Sequence, residues 1–159
     1  MWPHPLASFV WKTISEGSRA SLQHARPNLP RLLFGGIAAG LVINAIEYFV
    51  HGIFLNAQWT AAFAALRKTP TGWTTFIPAN FLLGIISVWL YARLCPSYGA
   101  GSRTALRAAL AVWAVFWVIP EMALLPLNLF PASLLFTVIA VGLLDVVPAA
   151  LLGAWMYRR

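Results

Sequence analysis

Four long apolar segments, separated by short connections, constrain this chain more than any other feature. A helix needs about 20 apolar residues to cross a bilayer, and only 9% of the residues are charged, against about 25% in soluble domains. Because lipid offers the backbone no hydrogen-bond partners, such segments must be helical. The sequence therefore predicts an all-α integral membrane protein, a four-helix bundle with spans at about 32–55, 76–94, 104–125 and 132–157.

Two elements are predicted to lie on the membrane surface. Residues 1–31 form a basic leader with the apolar spacing of an amphipathic helix. Between the first and second spans, Trp59, Phe63 and Leu66 recur at helical spacing, which predicts an interfacial helix. We therefore expect a cytoplasmic leader followed by a transmembrane domain over residues 32–159.

The basic residues predict the orientation. If the N-terminus is cytoplasmic, nine of the eleven Lys and Arg residues lie in cytoplasmic segments and two lie in the first outer loop. Lys and Arg are enriched in cytoplasmic loops, so we expect both termini inside. The net charge of +7 comes from residues between apolar segments, where they meet lipid headgroups, and no basic stripe with interleaved aromatics indicates nucleic-acid binding.

The first span carries a polar face. Its members are spaced four, four, three and four residues apart, which stacks them turn above turn; they are Gly36, Gly40, Asn44, Glu47 and His51. A charge in the bilayer centre costs about 3 kcal/mol or more, so the Glu47–His51 pair needs a reason. Three interpretations stay open: a structural hydrogen-bonded pair, a proton-handling site or a metal site.

The other spans also have seams of small and polar residues, which we expect to face the bundle interior. They are Asn80, Gly84, Ser87 and Tyr91 in the second span, Ala111, Ala114, Val118 and Glu121 in the third, and Gly142, Asp145, Ala149 and Gly153 or Leu152 in the fourth. Prolines near Asn80, Glu121 and Asp145 add irregular backbone. We predict a shared outward-facing pocket lined by Asn44, Glu47, His51, Asn80, Glu121 and Asp145.

A metal site remains an alternative. One histidine with carboxylates suits zinc or iron, so Glu47, His51 and Glu121, with or without Asp145, are the candidate ligands. However, the spacing here is a single Glu-x-x-x-His, whereas di-iron bundles repeat Glu-x-x-His. No nucleophile elbow is present either. We therefore predict no cofactor and no catalytic residue.

Several segments resemble a group of small, uncharacterised bacterial four-span proteins. They are Gly36-Ile-Ala-Ala-Gly40-Leu-Val-Ile-Asn44-Ala-Ile-Glu47-Tyr48, Trp59, Trp89-Leu-Tyr91 and Gly153-Ala-Trp155-Met-Tyr157. The resemblance covers residues 32–159 and implies the four-span topology and a bacterial inner membrane. It implies no activity and no functional residue.

The function that we expect is proton-linked binding or transport of a small solute or cation. Glu47 would exchange the proton, His51 would tune it, and Asp145 would act as a deeper relay. Four short spans rarely enclose a whole pathway, so we expect a homodimer or a partner membrane protein. Two alternatives remain: a non-catalytic subunit or assembly factor of a larger membrane complex, and a membrane-embedded metal-dependent or lipid-modifying enzyme.

Overall fold

The computed structural model describes residues 27–69 and 71–159, and within them it is helical, with no strand. Four helices are long and apolar enough to cross a membrane, which confirms the predicted all-α class. We call them spans one to four: Leu29–Phe54, Phe76–Tyr98, Ser102–Leu127 and Ala132–Arg158. The predicted leader helix lies outside the described residues.

Two of the spans contain a wider π-helical turn. Span one consists of α1 (Leu29–Phe49) and the turn Val50–Phe54. The connecting helix α2 (Asn56–Ala65) follows, and span two is the single helix α3 (Phe76–Tyr98). The remaining elements are α4 (Ser102–Trp113), the π turn Ala114–Val118, α5 (Ile119–Leu124), a 3₁₀ turn at Leu125–Leu127 and α6 (Ala132–Arg158).

Local capping explains why spans one and two are longer than predicted. Span one begins three residues before residue 32, because the Asn28 side chain accepts a hydrogen bond from the Arg31 backbone N–H at 3.2 Å. Span two continues four residues past residue 94 and includes Pro96. It ends at Gly99, whose φ of 76° is the positive value that glycine adopts without strain.

The spans are arranged so that span four contacts the other three. Span one packs mainly on spans two and four, and span three packs on spans two and four, which places spans one and three at opposite corners. The Asn28 backbone N–H donates to the Tyr157 hydroxyl at 3.3 Å and joins the start of span one to the end of span four. We call this the basic end of the bundle, and the opposite one the α2 end.

Glycines allow spans one, two and four to touch at the backbone. Gly84 of span two lies against Gly36 and Gly40 of span one, and Gly35 lies against the Gly153 carbonyl of span four. Small residues permit such close approach in membrane bundles, where packing replaces the hydrophobic drive. These contacts fix the relative depth of three spans.

Two of the three predicted seams are buried. In span two Asn80, Gly84, Ser87 and Tyr91 are buried, as are Gly142, Asp145, Ala149 and Gly153 in span four, where Leu152 is exposed. The span-three prediction was wrong, because Ala111 is exposed and Ala114, Val118 and Glu121 are only half-buried. The buried residues there are Thr104, Ala105, Ala108, Ala109, Val112 and Trp117.

We predict that Gly84→Val destabilises the bundle by about 1–3 kcal/mol, since the new side chain would overlap the backbone of Gly36 and Gly40. Thermal unfolding of purified protein in detergent measures the change. Gly52→Ala is the matched control, because a Cβ there meets only ordinary contacts with Tyr48. Equal melting temperatures for the two variants would contradict the close packing of spans one and two.

Candidate functional site

Three of the six predicted pocket residues meet between spans one and four. Glu47, His51 and Asp145 each present a ligand atom, and these atoms all lie within 4.8 Å of one another. Glu47 is one turn before His51 on span one, and Asp145 reaches them from the middle of span four. The structure therefore forms a compact acid–histidine cluster across one helix interface.

Asp145 is the most deeply placed member. Its side chain is 0% exposed, and neither carboxyl oxygen has a hydrogen-bond donor in the described part of the chain. The Glu47 carboxyl lies in hydrogen-bonding contact with it, but an ionised carboxylate only accepts hydrogen bonds. The contact becomes a hydrogen bond only when one of the two carboxyls is protonated.

The two ring nitrogens of His51 have different neighbours. Its Nδ1 accepts a hydrogen bond of 3.0 Å from the indole N–H of Trp59. Its Nε2 lies 4.0 Å from a Glu47 oxygen, which is too long for a hydrogen bond. His51 lies in the π turn of span one, a wider type of turn that recurs at functional sites.

The helix α2 holds Trp59 in place. Its existence confirms the predicted helix between spans one and two. Trp59, Phe63 and Phe130 form a cluster of aromatic rings with centroids 5.6–6.0 Å apart. Sequence reasoning identified Trp59 only as part of an amphipathic face. The sequence signal for its hydrogen bond to His51 is the indole N–H, which needs an acceptor when it is half-buried.

Asn44 and Asn80 form a separate interhelical contact. Asn80 donates to the Asn44 side-chain oxygen at 3.3 Å, and Asn44 donates to the Gly40 carbonyl at 2.9 Å and the Ile77 carbonyl at 3.4 Å. These hydrogen bonds therefore join spans one and two. We call this contact between spans one and two the Asn44–Asn80 clamp.

Glu121 lies apart from the other acids. It sits in α5 on span three, is half-buried, and is not among the three grouped residues. Spans one and three occupy opposite corners. The π turn before Glu121 also inserts an extra residue, which rotates the following helix by about 100°. Its buried Oε2 has no hydrogen-bond partner in the described residues.

Two surface grooves of the described chain lie elsewhere. One, of about 550 Å³, is at the basic end between Pro30, Phe34 and Trp155. The other, of about 640 Å³, lies between α2 and the start of α6. Neither is lined by any of the six predicted pocket residues. Within the cluster, Asp145 is fully buried, whereas Glu47 and His51 are partly exposed.

The donor set does not fit a metal ion well. A metal bound by Nε2 of His51 needs a lone pair on that atom, which leaves the ring proton on Nδ1. Nδ1 already faces the Trp59 N–H at 3.0 Å, so two donors would oppose each other. Metal-bound histidines ordinarily donate from their second nitrogen to an acceptor, and here the hydrogen bond runs the other way.

Comparisons with protein-family models, with curated proteins and with solved structures found no match.

We predict a measurable coupling between Asn44 and Asn80. A double-mutant cycle with Asn44→Ala and Asn80→Ala in detergent should give about 0.6 kcal/mol, the average for side-chain hydrogen bonds between membrane helices. Denaturant unfolding measures each variant. The same cycle with Asn44→Ala and Glu121→Ala should give no coupling, because Glu121 lies in another part of the bundle. Equal coupling in both cycles would contradict the clamp.

Proposed function

We propose that this protein binds or passes a small solute or cation across a membrane in exchange for protons, and that the Glu47–His51–Asp145 cluster is its working site. The observation that carries the proposal is Asp145, which is fully buried, has no donor among the described residues, and contacts a second carboxyl. Ionisable residues inside a membrane bundle mark ion pathways and proton relays.

A purely structural pair explains the cluster less well. A neutralising Glu–His pair should lie at hydrogen-bonding distance, but the Glu47 and His51 atoms are 4.0 Å apart. Asp145 adds a second acid that such a pair does not need. A half-satisfied buried network is less stable than an apolar interface, so its presence favours a role beyond packing.

Exposure supports an order of roles within the cluster. The Glu47 side chain is 21% exposed, the His51 side chain 11% and Asp145 0%. In the proposal, Glu47, the most exposed of the three, exchanges protons with the aqueous side, and Asp145 is the deeper relay. His51 influences the charge on Glu47 from one turn away.

The setting of the site belongs to the same proposal. We place the chain in the bacterial inner membrane with both termini in the cytoplasm, because nine of its eleven basic residues then lie inside. The cluster faces the α2 end, which becomes the outer side. A homodimer or a partner membrane protein completes the pathway, because four short spans rarely enclose a whole one.

Proton exchange is expected to need both clustered carboxyls. Purified protein in liposomes should move protons, read by an internal pH-sensitive dye, when a gradient of Na⁺, K⁺ or a quaternary ammonium ion is applied. Glu47→Gln and Asp145→Asn keep the side-chain size and remove the exchangeable charge. Each should reduce the dye response by about tenfold or more, because a positioned proton-transfer group usually contributes about 100-fold or more.

The matched control is Glu121→Gln, which removes an intramembrane acid outside the cluster. It should leave the dye response at the wild-type level. A wild-type protein that moves no protons with any of the three ions would sink the proposal, as would a full response in Glu47→Gln.

Cysteine labelling tests the orientation. Thr71 is exposed between α2 and span two, whereas the single native cysteine, Cys95, lies near the basic end of span two. In intact cells, a membrane-impermeant maleimide should label Thr71→Cys made in a Cys95→Ala background, and it should label the wild-type protein only after the membrane is opened. The reverse pattern would show that the termini are outside.

A further inference from the structure

We propose that Trp59 fixes His51 in the tautomer that carries its proton on Nε2, and that this makes the cluster selective for protons over divalent metals. The inference deepens the proposed function and rests on it, because it names the cargo class of the same site. The observation that carries it is the 3.0 Å hydrogen bond from the Trp59 indole N–H to His51 Nδ1.

The tautomer follows from the chemistry of the two rings. An indole nitrogen is a donor only, so the Nδ1 atom that receives its hydrogen bond must hold a lone pair. The neutral imidazole then carries its hydrogen on Nε2. That atom is buried and lies 4.0 Å from a Glu47 oxygen. His51 therefore presents an N–H on the side of Glu47, whose carboxyl contacts Asp145.

An N–H on this side suits a site that alternates between proton occupancies. It stabilises negative charge on the carboxyl pair after a proton leaves, and it does not compete for the proton that the pair shares. A divalent metal instead needs the Nε2 lone pair. Binding it would move the ring proton to Nδ1, directly against the Trp59 N–H, and the hydrogen bond between them would be lost.

Trp59 is a positioning residue in this arrangement, because it acts through His51 and is not one of the clustered groups. Its ring is packed against Phe63 and Phe130, with ring centroids 6.0 and 5.6 Å away. The Trp59 N–H thus determines which nitrogen of His51 carries the ring proton. Trp59→Phe removes that N–H and retains an aromatic ring for the packing.

Nitrogen-15 NMR of histidine-labelled protein tests the tautomer. The chain has three histidines, so His4→Gln and His24→Gln are introduced to leave His51 as the only signal. Near neutral pH, the wild-type Trp59 background should show a protonated Nε2 and an unprotonated Nδ1. In Trp59→Phe, the two nitrogen shifts should move toward each other as the second tautomer becomes populated.

Trp113→Phe is the matched control. Trp113 also donates its indole N–H inside the bundle, to the Ile139 carbonyl at 2.7 Å, but it does not contact His51. Its removal should leave the His51 shifts unchanged. A protonated Nδ1 in the wild-type background would overturn the proposal, and this spectrum decides even if Trp59→Phe does not fold. Unchanged shifts in a folded Trp59→Phe would overturn the role of Trp59.

Metal titration provides an independent measurement. We expect Co²⁺ absorption to show no stoichiometric site in the wild type and binding at least about tenfold tighter in Trp59→Phe, the scale on which partners of a metal-bound histidine act. Tight Co²⁺ binding by the wild type would overturn the selectivity. The Nε2–H tautomer together with no proton movement in liposomes would instead reject the proposed function and leave the role of Trp59 intact.

Discussion

A buried carboxyl without a donor is the constraint on which the rest of this structure depends. Asp145 lies in the middle of an apolar helix, fully enclosed, where an unpaired charge costs several kcal/mol. Its neighbours are a second acid, Glu47, and His51. This group is stable only if a proton or another cation joins it. The surrounding helices therefore have to exclude water and still hold three titratable groups together.

The glycine contacts make that enclosure possible. Gly84 against Gly36 and Gly40, and Gly35 against Gly153, bring spans one, two and four to backbone distance. Helices that approach so closely cannot slide without separating. The register of spans one and four, which sets Asp145 beside Glu47, therefore follows from small residues several turns away from the acids.

The sequence allowed the four spans and much of their buried faces to be predicted, because small and polar residues contrast with Leu, Ile and Phe. In span three the contrast fails: alanines occupy both sides of α4, and the π turn Ala114–Val118 changes the helical phase. Glu121 was assigned to the shared pocket, but it is not among the three residues that cluster.

The structure brings together three of the six residues predicted to line the pocket. Glu47 and His51 were expected to be adjacent from their spacing, and Asp145 joined them from a buried seam. The Trp59–His51 hydrogen bond was not foreseen, because it joins two helices through a bend at Leu55 whose geometry no periodicity describes. Contacts made across such bends are decided by tertiary packing.

The broken helix of span three has a mechanical consequence. Spans one, two and four approach one another at the backbone through glycines, whereas span three lacks such contacts among the described glycines. Span three has a π turn with Pro120 two residues after it, and its Trp117 packs against Gly142 of span four. Kinks in helices arise at such features. Bending of span three at this point would separate the Trp117 ring from Gly142, so this contact opposes a change in the shape of span three.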